Sequence, residues 1–120
     1  MTESAPTRTD SPTVPGDQVV WDDEIWLLAV HTPAAGLGLV LQSREAEALG
    51  QLDDEHASQL GRITNRLVRI IEHLPGAGTV TLGRLPGPHV NVTFEVDGVA
   101  PGQLHDVALK LANWGGEARV

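Results

Sequence analysis

Two hydrophobic periods divide this chain into segments. From Val19 the apolar residues come in short runs: VVW, then IWLLAV (Ile25–Val30) after the acidic group Asp22, Asp23 and Glu24, then LGLVLQ (Leu37–Gln42). Two β-rich runs around a short polar turn predict a hairpin, and Ile25–Val30, apolar on both faces, predicts a central, covered strand. HTPAAG (His31–Gly36) is expected to be a loop. Ser43–Gly50, with a cap-like Ser at one end and Gly at the other, predicts one or two helical turns.

The period then changes. Leu60, Ile63, Leu67, Ile70, Ile71 and Leu74 follow the three-to-four spacing of an amphipathic helix. Asp53 is a good N-cap, Asp54 and Glu55 suit the positive end of the helix dipole, and Pro75-Gly76 ends the pattern. The helix is therefore predicted over Asp53–Leu74. Two strand-like runs follow, Ala77–Gly83 and His89–Val96. In the second, Val90, Val92, Phe94 and Val96 alternate with His89, Asn91, Thr93 and Glu95, which predicts one covered and one polar face. Pro101–Trp114 reads as a closing helix. Strands outnumber crossovers, so the predicted class is α+β, an antiparallel sheet with helices on one face.

Residues 1–18, rich in Thr, Ser, Pro and acid, are too polar to offset their ordering entropy and are expected to form a disordered tail before a domain at 19–120. With 41% apolar residues in a chain of 120, that domain can bury a core. Eight Lys and Arg against 16 Asp and Glu give a net charge of −8, which argues against nucleic acid or an anionic membrane as partner. There is no cysteine, so disulfides and thiolate chemistry are excluded. No apolar run approaches the roughly 18 residues of a membrane span, and no signal-peptide pattern is present, so a cytoplasmic protein is expected.

The remaining chemistry is sparse. His31, His56, His73 and His105 lack ligand spacing, so no metal is expected, and no Gly-rich loop or cofactor motif precedes a helix. Arg62, Arg66, Arg69 and His73 form a stripe on the long helix, either a solvated face paired with carboxylates or a site for an anion or acidic partner. Trp21 flanks the acidic turn, where it is core or the wall of a ligand pocket.

The order of elements, with WDDE, LVLQSRE, LDDEHASQL and PHVNVTFEV at matching places, resembles the histidine triad (HIT) family of nucleotide hydrolases and transferases over Val19–Val96. The resemblance implies a five-stranded antiparallel sheet with one long and one or two short helices. It also implies a two-fold homodimer through the long helix and fourth strand. In that family the last strand carries His-apolar-His-apolar-His, with the central imidazole as nucleophile. The matching residues here are His89, Asn91 and Thr93. An amide carries no basic nitrogen lone pair and cannot take a nucleotidyl group. The His that follows the third strand is replaced within Ser43-Arg44-Glu45. The ribose-binding acid falls at Ala29 or Val30. The phosphate loop reads GRLPGP, with Arg84 its one anion-seeking side chain.

These departures predict a HIT-like protein without the family reaction. It would bind a small molecule or protein partner through His89, Asn91, Thr93, Glu45, Arg84 and Trp21. The alternative is a repurposed enzyme, for example in a biosynthetic pathway, with His89 as acid, base or orienting group. Because the face keeps its polar residues, it is expected to meet water or a ligand.

Overall fold

The apolar stripe of the long helix sets the architecture. The computed structural model describes residues 18–31 and 36–119, so the expected N-terminal tail (but for Gln18) and the Thr32–Ala35 part of the first loop lie outside the described residues. Helix α1 spans Asp54–Glu72, and the Asp53 side chain caps it by accepting from the His56 backbone N–H at 2.8 Å. Leu60, Ile63, Leu67, Ile70 and Ile71 are buried along one side of it. They pack into a single core with Trp26, Leu28, Leu39, Leu41 and Phe94 of the sheet.

The sheet has the strands β1 (Val19–Asp22), β2 (Trp26–Val30), β3 (Leu37–Ser43), β4 (Thr81–Gly83), β5 (Asn91–Val96) and β6 (Glu117–Ala118), in the order β4-β5-β3-β2-β1-β6. Every pairing is antiparallel. The closing helix α2 (Leu104–Ala112) follows a 3₁₀ turn at Pro101–Gln103 and buries Val107, Ala108 and Leu111 in the same core. The α+β class and the antiparallel sheet of the sequence reading are those of the structure.

Three details differ. The expected helical turns in Ser43–Gly50 reduce to a 3₁₀ turn at Leu49–Gln51. Only Thr81–Gly83 of the Ala77–Gly83 run is a strand, because Gly78 N–H instead donates to Asp97 O at 3.0 Å and ties the run to the turn after β5. The sixth strand is unexpected, since Glu117–Ala118 has neither alternation nor β-branched residues. Its two residues are held on β1 by Arg119, whose N–H donates to Val20 O at 2.7 Å and whose guanidinium clasps Asp22.

Candidate functional site

Alternation along β5, together with its register on β3, decides what faces what. Trp21, Leu28, Leu41 and Val92 form one cross-strand row on the helix side. The neighbouring row, on the opposite side, runs Asp22, Leu27, Gln42, Asn91, and the next runs Ala29, Val40, Thr93, Gly83. Asn91 and Thr93 thus lie on the side of the sheet away from α1, where Leu27, Ala29 and Val40 form a small second cluster; His89 precedes the strand.

That face is closed, not open to water as its polarity predicts. Relative exposures are 1% for His89, 3% for Asn91 and 5% for Thr93. The physical reason is the loop before β5. Asn91 Oδ1 accepts from Leu85 N–H at 2.8 Å, and Asn91 Nδ2 donates to Leu85 O at 3.0 Å and to His89 O at 2.9 Å. One side chain thus pairs with both backbone groups of Leu85, as a neighbouring strand would. Leu85, half-buried, packs against the Leu27, Ala29 and Val40 cluster. Asn91 is thus a clasp for the loop.

His89 is held from its other side. Its Nδ1 lies 2.9 Å from Ser43 O. A carbonyl only accepts, so in the neutral imidazole Nδ1 bears the proton and Nε2 presents a lone pair. Among the described residues Nε2 is buried without a hydrogen-bond partner. The same holds for both Oε1 and Nε2 of Gln42, a residue with 0% exposure that the sequence reading did not single out. Its signal was present in the pattern: a carboxamide ending the apolar run of β3, opposite Asn91 in register.

The other expected residues scatter. Glu45 and Arg84 are exposed, and Glu45 contributes its backbone carbonyl to Ser43 Oγ at 2.7 Å. Trp21 lies in the main core on the far side of the sheet from Asn91, with Nε1 donating to Gly115 O at 2.9 Å. Glu95 stands at the rim, its carboxylate 3.8 Å from His31.

Two charged surfaces lie elsewhere. At the β1–β2 turn a groove of about 890 Å³ is lined by Asp22, Asp23, Glu24, Arg44 and Arg119. Its guanidiniums are already matched, since Asp22 binds Arg119 at 2.9 Å and Arg44 at 3.2 Å. The Asp22 hydrogen bond raises the Arg119 pKa above the ordinary Arg value. On α1, Arg62, Asn65 and Arg69 border a groove of about 480 Å³ beside Trp114, over whose ring Arg66 sits at 5.2 Å. Among the described residues no three His, Asp or Glu side chains are grouped to hold a metal ion, and no helix is long and apolar enough to cross a membrane.

No protein-family model matches the chain, and no curated protein does. Among solved structures it is similar to a Hit-like protein involved in cell-cycle regulation from Bartonella henselae, crystallised with an unknown ligand. The match has a TM-score of 0.57 and 12% identity, and covers 79% of this chain and 84% of that one. The fold is HIT-like.

Proposed function

We propose that this HIT-like protein is non-hydrolytic and binds a small molecule at the face where the family performs nucleotidyl transfer. The observation that carries the reading is the Asn91 amide. Both its polar atoms are committed to Leu85 and His89, and neither is a nucleophile. The loop it clasps occupies the approach to the strand, and Thr93 supplies no general acid at neutral pH. Binding rather than inert burial is supported by Gln42 and His89. Buried polar atoms are ordinarily paired, and each one left over needs a reason. A repurposed enzyme has weaker support, because His89 is spent at Nδ1 on Ser43 O.

The test pairs chemistry with binding. The protein is incubated with adenosine phosphoramidate and dinucleoside polyphosphates, and intact mass and product release are followed. No adduct and no turnover are expected. A nucleotidyl adduct on any residue would overturn the reading.

A further inference from the structure

We infer that the Arg84–Pro88 loop is a lid over a polar pocket formed by Gln42 and His89, and that the guest is a small neutral molecule carrying an amide-like donor–acceptor edge. This rests on the proposed non-hydrolytic binding role and names its ligand class.

The argument begins with valence. Gln42 Oε1 needs a donor and Gln42 Nε2 needs an acceptor, and both are fully buried and unpartnered among the described residues. A side-chain carboxamide is satisfied at once by one group that offers N–H and C=O side by side, in a two-bond pairing. His89 Nε2, fixed as an acceptor by the Nδ1 contact with Ser43 O, asks for one more N–H or O–H. These groups are close in the fold. Gln42 and Ser43 are consecutive on β3, Gln42 pairs with Asn91, and Ser43 N–H donates to the carbonyl of Val90, next to His89.

The same valences reject an anion. A carboxylate or a fully ionised phosphate offers acceptors only, so it satisfies Gln42 Nε2 but leaves Gln42 Oε1 and the His89 lone pair without a donor. No guanidinium compensates: Arg84 is exposed, and Arg44 is engaged by Asp22 and Asp23 O at 3.2 Å each. The guest is therefore neutral and richer in donors than a nucleotide phosphate.

Entry requires the loop. Asn91 holds Leu85 by two bonds, and Leu85 packs on the cluster that contains Leu27, so the loop crosses the row in which Gln42 sits between Leu27 and Asn91. Releasing those two bonds frees the loop without breaking the strand ladder. Closed and open states then compete with the guest, and apparent affinity scales with the open fraction.

Nicotinamide and nicotinate form the matched probe pair, since they share shape and differ in the amide. Binding to the full chain is measured by NMR, following the Gln42 side-chain amide, the Leu85 backbone amide and the His89 ring nitrogens. Nicotinamide is expected to shift all three, and nicotinate to bind at least about tenfold more weakly. Gln42→Leu should weaken nicotinamide by roughly tenfold, the loss of paired hydrogen bonds in a desolvated site. Asn91→Ala should tighten it severalfold by favouring the open loop. The assignment is overturned if nicotinate binds as well as nicotinamide, if Gln42→Leu leaves binding unchanged, or if long-lived water fills the three valences and no amide displaces it. Adenosine monophosphate perturbing the same three signals would overturn the ligand class while leaving the binding face in place. A nucleotidyl adduct would instead overturn the non-hydrolytic reading.

Discussion

Gln42 offers a direct test of what its site costs the fold. A carboxamide buried without partners destabilises a protein by about 1–3 kcal/mol relative to an apolar group of similar shape. Gln42 has 0% exposure, both its polar atoms lack partners among the described residues, and its cross-strand neighbours are Leu27 and Asn91. Gln42→Leu and Gln42→Met remove the cost and keep the volume. Repacking around a branched or a longer end costs up to about 1.5 kcal/mol, so the better of the two variants should gain about 1 kcal/mol net. For a domain of about 100 residues that gain raises Tm by about 5 °C. The assay is reversible thermal unfolding followed by circular dichroism, with urea midpoints as a second measure. If both variants lose 1 kcal/mol or more, the amide is satisfied in the native protein and the reasoning from unmet valences fails. A variant that is more stable yet blind to nicotinamide is the signature of a residue kept for binding at the expense of stability.

Asn91→Asp keeps the acceptor for Leu85 N–H but loses both donated bonds, so it should cost about 1–3 kcal/mol and speed amide exchange at Leu85; unchanged exchange would show that the clasp does not hold the loop. Asn91→His with Thr93→His restores the triad's residue types, yet should give no turnover of adenosine phosphoramidate, because the ribose acid and the post-β3 His remain absent; turnover above the buffer blank would refute this. Gly76 and Gly98 face one another at φ +82 and +83, so Gly98→Ala strains the backbone and drives its Cβ toward Gly76 O, with an expected loss above 1 kcal/mol in urea unfolding. Strand β4 is an open sheet edge with three exposed residues, and pairing of two copies through it and α1 should give a dimer mass in light scattering; monomer at high micromolar concentration would exclude that assembly.

Much of the fold was legible because two periods rarely deceive over long stretches. The spacing from Leu60 to Leu74 and the Asp53 cap located α1 to within two residues, and the apolar run at Ile25–Val30 marked a strand covered on both faces. Elements held by single contacts were not legible. Strand β6 exists because Arg119 reaches Asp22, a partner 97 positions away, and Ala77–Val80 is drawn off the sheet by the carbonyl of Asp97. At the site, Asn91 and Thr93 fall in neighbouring rows on one side of the sheet, but period alone cannot tell a solvated polar face from one roofed by a loop. That distinction rests on the Asn91–Leu85 clasp, which joins residues six apart through backbone atoms and leaves no compositional trace. Trp21 was drawn toward the cleft by its place in the chain, whereas its row partners Leu28 and Leu41 put it on the other side of the sheet.

The clasp also explains why Asn suits position 91. Leu85 presents an N–H and a C=O to the strand, and the partner must offer one acceptor and one donor within the span of a single residue. A carboxylate accepts only, a hydroxyl reaches one group at a time, and an imidazole places its donor and acceptor on different sides of a ring. A carboxamide holds both on one carbon. Glutamine has the same group one methylene farther out, which would lift the loop away from Leu27, Ala29 and Val40 and open the small apolar cluster that Leu85 completes. Position 91 thus positions the loop, while the unmet valences lie on Gln42, its partner one strand across in the same row, and on His89, two residues before it.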